Sequence, residues 1–112
     1  RIELFGLAVQ KRGGEKQPYV RHKLELGLRK ALEKRPVPEE QFQKLVSSVE
    51  HDIFNLEKET VSSEQIGQIV LSHLRKLDKV AYLRFASVHR NFKSTKAFEK
   101  EIEKLEKLGR QS

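Results

Sequence analysis

LAVQKRGGEKQPYVRHK, residues 7–23, decides how this chain is built. Leu7, Val9 and Lys11 alternate with Ala8, Gln10 and Arg12, which is the two-residue period of a strand. Gly13-Gly14 can supply the positive φ angles of a two-residue hairpin turn. Residues 16–20 then return as a second strand, and Pro18 confines it to an edge or an end because proline donates no ladder hydrogen bond. A helix starts near Arg21, so Lys23 stands in its first turn, twelve residues after Lys11. A hairpin turn carries its cations and free backbone N–H groups close to that helix N-terminus, which itself attracts anions. Such a corner can hold a polyphosphate, and it points to a binder of a nucleoside triphosphate rather than to an enzyme. The cations also have an ordinary reading: lysine on an exposed strand blocks edge-to-edge pairing, and Lys23 can simply be solvated.

Working outward, residues 2–5 are either a further short strand or a lead-in. Downstream, the spacing predicts four or five helices. Leu24, Leu28, Ala31 and Leu32 share one face of a helix over 21–34, which Pro36 stops. The cleanest apolar stripe runs over 39–56: Phe42, Leu45, Val46, Val49, Ile53 and Leu56. Pro38 suits its first turn, and Glu39-Glu40 complement the positive end of its dipole. Residues 59–61 are β-prone and can add a third strand to the hairpin. Ser62-Ser63-Glu64-Gln65 reads as a capping box for a helix burying Ile66, Ile69, Val70, Leu74 and Leu77. Gly67 inside that helix costs about 1 kcal/mol of propensity against Ala, which points to a close packing contact there. Asp78 can cap a fourth helix with inner face Ala81, Phe85, Val88 and Phe92. Ser94 or Thr95 can cap a last one bearing Phe98, Ile102, Leu105 and Leu108 on a narrow stripe between Lys and Glu. The expected class is α+β, mainly helical, with a small hairpin or three-stranded cap on a four- to five-helix bundle.

Composition limits the rest. The 112 residues suffice for one domain, 35% of them are charged, and the mean hydropathy is −0.66. No run is long enough to span a bilayer, and the apolar stretch 4–9 is too short for a secretory signal. Cysteine is absent, so disulfides and thiolate zinc sites are excluded within this chain. The net charge of +7 is blocked: residues 1–35 carry +6, residues 36–72 carry −5 and residues 73–112 carry +6. Basic segments flanking an acidic one fit an anionic partner, and also protomers that meet through unlike faces, the acidic second helix against the basic last one.

Catalytic patterns are missing. His22, His51, His73 and His89 show no metal-ligand spacing, and there is no Gly-x-x-x-x-Gly-Lys-Ser/Thr loop, so a triphosphate must be held by another device. Tyr82 and His89 lie seven apart on one helix face; they either stack on a purine or serve as core aromatics.

Several strings occur in a telling order. Val9-Gln10-Lys11-Arg12-Gly13-Gly14 is followed by Lys23-Leu24 with Gly27-Leu28, and by Ala31-Leu32-Glu33-Lys34-Arg35-Pro36-Val37. Val61-Ser62-Ser63-Glu64-Gln65-Ile66-Gly67 and the long string from Leu77-Asp78-Lys79 to Arg84-Phe85-Ala86-Ser87-Val88 come next. The chain resembles the ATP-cone domain of the bacterial repressors of ribonucleotide reductase genes, the NrdR family, from about Leu7 to Phe98. That resemblance implies a small sheet capping a helical bundle, with ATP or dATP as regulatory ligand bound between them. It implies that Lys11, Arg12 and Lys23 contact phosphates and that Val9 borders base or ribose. Gln17 and Ser63 would stand near the nucleotide, and Tyr82 and His89 would be the aromatic contacts. Two positions depart from the family pattern: His89 stands where related repressors usually carry Tyr, and Gly13 replaces the usual Asp.

The resemblance further implies a zinc ribbon before the cone that binds DNA, with zinc confined to that segment. The chain opens on Arg1 rather than Met, and Arg1-Ile2-Glu3-Leu4 looks like the stretch just after such a ribbon. On this reading residues 1–6 are a lead-in, 7–98 the nucleotide-binding cone and 99–112 a charged helix or tail. The protein would be a cytoplasmic, non-enzymatic repressor half in which nucleotide identity sets homo-oligomer state and operator binding, with no membrane partner. Rival readings are the N-terminal cone of a reductase, a basic helical nucleic-acid module and a helical adaptor. Salt-steep binding without adenine preference would mark the nucleic-acid module.

Overall fold

Val9 and Val61 pair across the middle of the sheet, and both turn their side chains into the helices. The structure is a computed structural model; it describes the backbone of residues 6–89 and 95–111 and the side chains of residues 6–89 and 99–107. Strand β1 (Ala8–Gln10) lies between β2 (Lys16–Pro18) and β3 (Thr60–Ser62). β1 and β2 are antiparallel, with Val9 opposite Gln17, while β1 and β3 are parallel, with Val9 opposite Val61. Five helices follow or intervene: α1 (Arg21–Ala31), α2 (Glu39–Phe54), α3 (Ser63–Leu77), α4 (Lys79–His89) and α5 (Thr95–Gln111). The mainly helical α+β class with a three-stranded cap is what the sequence leads one to expect.

The hairpin differs in its turn. Lys11 N–H donates to the Glu15 carbonyl at 2.8 Å, and Gly14 N–H to the Lys11 carbonyl at 2.9 Å. Three residues, Arg12-Gly13-Gly14, therefore form the loop, and only Gly14 has positive φ, +91°. A turn closed by one left-handed glycine is the next commonest hairpin loop after the two-residue forms. The longer loop throws Lys11 and Arg12 in different directions, which matters below.

The helices pack as the apolar periodicities require. Leu28 of α1, Val46 and Val49 of α2, Val70 and Leu74 of α3, and Ala81, Tyr82 and Ala86 of α4 are completely buried. The Ser62 hydroxyl accepts from Gln65 N–H at 3.0 Å while Gln65 Oε1 accepts from Ser62 N–H, a complete capping box. Asp78 caps α4 by accepting from Ala81 N–H at 2.9 Å, and the Arg35 guanidinium reaches the same carboxylate at 2.9 Å. Arg84 donates to the carbonyls of Ala31 and Glu33, at 3.2 and 2.7 Å, closing the C-terminal end of α1 where orphan acceptors collect. Arg35 and Arg84 thus staple α1 and its following loop to the α4 helix from both sides.

One expected core position is a correction. Val88 is 83% exposed although it shares the face of Ala81, two turns earlier. Near its C-terminus α4 borders an open groove toward α1, lined by Gly27, Lys30 and Glu33, instead of a packed neighbour. Phe92, Ser94 and residues 2–5 lie outside the described residues, as do the side chains of Thr95, Phe98 and Leu108. Leu105 is buried as its stripe predicts.

Burial by itself would raise the Asp78 carboxyl, but the Ala81 N–H and the Arg35 guanidinium outweigh it and hold it below the ordinary carboxylate range. A depressed folded-state value gives stability that is present above the unfolded value and is lost as pH falls through the folded one. Asp78→Asn keeps a capping side chain but removes the charge. The melting-temperature gap between wild type and this variant is expected to be constant above about pH 5 and to shrink toward pH 3. A gap independent of pH would contradict the assignment.

Candidate functional site

A cleft opens between the cap and the helices where β1, β2, α1, α3 and the end of α4 meet. Val9 and Lys11 enter it from β1 and its loop, Gln17 from β2 and Lys23 from the first turn of α1. Lys23 Nζ lies 3.4 Å from Gln17 Oε1. Neither lysine makes an ion pair with a carboxylate among the described residues. Two cations on separate elements that face one concavity without acidic partners form an anion-seeking corner.

Two helix starts add to it. α1 begins at Val20, which offers no side-chain cap, and no acidic residue stands in its first turn. The Lys23 N–H is taken by the Val20 carbonyl at 3.1 Å, so the helix start offers the cleft the positive end of its dipole, beside Val20 and Lys23. Ser63 opens α3 on the same cleft, just after the capped Ser62. Apolar side chains complete the lining: Leu24, Ile66, Val70 and Phe85. A polyanion with a flat apolar head matches a cleft so divided.

His89 closes the cleft on the α4 side. Its ring stacks on Phe85, with centroids 5.8 Å apart and planes 26° apart. It lies directly over Gly67 of α3, where an added Cβ would fall 1.9 Å from the nearest ring atom. The close contact expected at Gly67 is thus a seat for an imidazole. Gly67→Ala should displace that ring and weaken whatever the cleft binds; an overpacking cost of about 1–3 kcal/mol is partly offset by the roughly 1 kcal/mol of helix propensity that Ala gains, so a net loss of about 0–2 kcal/mol is expected. Thermal unfolding beside a binding isotherm checks this; a variant matching wild type in both would contradict the seat.

Six of the eight residues singled out from sequence line this cleft: Val9, Lys11, Gln17, Lys23, Ser63 and His89. Arg12 and Tyr82 do not. Arg12 points to the end of α4, donating to the His89 carbonyl at 2.6 Å. Tyr82 is fully buried, its hydroxyl donating to Glu101 of α5 and accepting from Arg75 at 3.1 Å. Tyr82 and His89 do share the face toward α3, but Tyr82 meets Arg75 at the far end of that helix, two turns and more from Gly67.

Sequence reasoning missed Tyr19, Gly27, Ile66 and Phe85 as lining residues. Tyr19 is the informative one. Its hydroxyl donates to buried Glu50 at 2.7 Å, and Arg21 pairs with the other oxygen of that carboxylate. Burial first, then the bond to Glu50, push the Tyr19 hydroxyl far above its ordinary value, so it stays a neutral donor. The cleft wall is therefore anchored to α2. No sequence signal links Tyr19 to a carboxylate 31 residues away.

A family model described as the ATP cone domain matches residues 7–95. The chain is 44% identical over 105 residues to the transcriptional repressor NrdR of Lachnoclostridium phytofermentans, covering 94% of this chain and 69% of that protein. The chain belongs to the NrdR family, through its ATP-cone. NrdR of Rhodopseudomonas palustris strain BisB18 is 48% identical over 99 residues, covering 88% of this chain and 62% of that one. NrdR of Carboxydothermus hydrogenoformans is 43% identical over 105 residues. The chain spans about two thirds of the length of these curated relatives. These relatives are named as transcriptional repressors. Among the described residues no helix is long and apolar enough to cross a membrane, and no group of three His, Asp or Glu side chains is placed to hold a metal.

Proposed function

We propose that the cleft binds the triphosphate of ATP or dATP and that the bound nucleotide sets the assembly, and through it the DNA binding, of a repressor of ribonucleotide reductase genes. One observation carries the ligand assignment: Lys11 and Lys23, from different elements, line one cleft with an uncapped helix start and an apolar wall. Lys11 and Lys23 take the phosphates, Gln17 and Ser63 lie beside them, and Val9 borders base or ribose. His89 faces the base. DNA contact, and zinc, belong to a ribbon that the family resemblance places before the cone. This chain's own contribution is the nucleotide-sensing half.

The switch is a linkage effect. A nucleotide shifts assembly only by binding two protomer arrangements with unequal affinity. ATP and dATP differ by one hydroxyl, so the coupling rests on a difference of about 1–3 kcal/mol, the usual size of allosteric coupling. The acidic α2 and the basic α5 are the surfaces we assign to contacts between copies. Gel filtration with multi-angle scattering, run without nucleotide, with ATP and with dATP, tests this. A different mass in at least one state is expected, and one mass in all three removes the switch.

A further inference from the structure

Phe54, the last residue of α2, is the one Phe or Tyr among the described residues that stays exposed, with 53% of its surface in solvent. An aromatic ring is costly to leave in water, and such rings dominate the energetics of interfaces. Its neighbours in the chain are acidic: residues 50–59 hold four Asp or Glu against one Lys. Glu57 closes the turn after α2 with a φ of +53°, its N–H donating to the Phe54 carbonyl at 3.1 Å. Glu57 and Glu59 are exposed, and neither makes an ion pair among the described residues. A pocket of opposite character opens between α3 and α5. About 280 Å³ in volume, it is lined by Arg75 of α3 and by Glu101, Lys104, Leu105 and Lys107 of α5. Glu101 is buried and accepts from the Tyr82 hydroxyl, so its charge is turned inward, whereas Lys104 and Lys107 are exposed. Arg75 is held in place, donating to the Tyr82 hydroxyl at 3.1 Å with its guanidinium 5.1 Å from the centre of that ring. Leu105 and the aliphatic stems of the three cations give the pocket an apolar lining beneath a positive rim.

We propose that Phe54 of one copy of this chain seats in the pocket of a second copy, between Arg75, Lys104 and Lys107. This contact lies within the α2 and α5 surfaces assigned above to meetings between copies, and rests on that reading. A cavity of about 150 Å³ already accepts benzene, so the volume suffices for a phenyl ring. The rim cations then meet the ring face, and Glu57 and Glu59 of the incoming copy oppose the same cations, which fixes the register. Ring and pocket are different surfaces of one chain, so the contact is heterologous. It repeats from copy to copy and either closes into a ring of subunits or runs on as a filament.

Gel filtration with light scattering, in the nucleotide state of highest mass, compares wild type, Phe54→Ala and Lys104→Glu/Lys107→Glu. Both variants alter exposed side chains, and a circular-dichroism melt checks that each is folded. Loss of an aromatic anchor weakens association about thirtyfold or more, so each variant should run as a smaller species at concentrations where wild type assembles. Mixing the two variants is the decisive arm. Phe54→Ala keeps the pocket and Lys104→Glu/Lys107→Glu keeps the ring, so one productive contact remains and a 1:1 complex should form that neither variant forms alone. Phe54→Ala that assembles like wild type, or a mixture that stays separate, would overturn the proposal. Assembly retained by Lys104→Glu/Lys107→Glu would overturn it too, and that variant's affinities for a DNA duplex and for ATP would then show whether the rim serves nucleic acid or nucleotide. Wild type that is monomeric in every nucleotide state would leave no contact between copies and sink the idea outright. One oligomeric mass in every state would remove the nucleotide switch alone, and the variants would still decide the contact.

Discussion

Replacing Lys11 and Lys23 together by Ala is expected to weaken ATP by about 10²–10⁴-fold while leaving the fold intact. Each charge-assisted hydrogen bond to phosphate contributes about 1.5–3 kcal/mol, so two contribute about 3–6 kcal/mol. Both side chains lie at the surface of the cleft and neither has an ion-pair partner among the described residues, so no buried group is left stranded. Equilibrium dialysis with labelled ATP measures the loss, and a circular-dichroism melt checks the fold. A double variant with wild-type affinity would place the triphosphate elsewhere and favour a helical adaptor or another pocket. The single variants should each lose part of the total, because the two ammonium groups approach one polyanion from different elements and share no partner.

Arg21→Ala carries the largest expected effect on stability. Glu50 is only 4% exposed, and Arg21 is its one cationic partner among the described residues; Tyr19 supplies a neutral donor. Removing one member of a buried pair leaves the other charge uncompensated, which typically costs about 3–5 kcal/mol. Arg21 keeps 22% of its side chain exposed, so the lower end of that range, about 3 kcal/mol, is expected. The double variant Arg21→Ala/Glu50→Gln should recover a large part of the loss, because the stranded charge is gone while Tyr19 keeps an acceptor. Urea midpoints on the three proteins decide it. An Arg21→Ala protein within about 0.5 kcal/mol of wild type, the range of ordinary surface substitutions, would mean that Tyr19 and water suffice for Glu50. Tyr19 lines the cleft, so the same variant links core stability to the shape of the site.

What the sequence made legible was local. The capping box at Ser62, the Asp78 cap, the proline before α2 and the β1–β2 pairing all follow from residues within a few positions of one another. The apolar stripes of α1, α2 and α3 fixed which faces are buried. Gly67 stood out because glycine in mid-helix lowers helix propensity without local gain, and the compensating contact is the His89 ring. Of the six expected residues that line the cleft, Lys11 and Lys23 follow from the hairpin and the first turn of α1 and His89 from its spacing in α4, whereas Val9, Gln17 and Ser63 came from the family resemblance alone.

The remainder depended on how elements slide past each other. Tyr82 and His89 share a helical face, yet the cleft opens only at the His89 end of the α3–α4 contact, and no periodicity reports that height. Val88 repeats the position of Ala81 but borders an open groove. The family resemblance assigns Arg12 to phosphate; in the structure its guanidinium donates to the carbonyl of His89, 77 positions away, and is not among the groups lining the cleft, a placement that no local pattern reports. Glu101 sits in a helix almost wholly Lys and Glu on its exposed faces, and nothing local distinguishes it as the buried partner of Tyr82. Arg35 and Arg84 belong to the strings that carry the family resemblance, and the fold gives their physical role: they join α1 and its loop to α4.

Isothermal titration of this chain with ATP tests the central claim most directly. Saturable binding that excess tripolyphosphate displaces, and that the Lys11→Ala/Lys23→Ala variant lacks, is the expected result. A flat titration at millimolar nucleotide, with the protein folded by circular dichroism, would contradict a triphosphate site between the cap and the bundle.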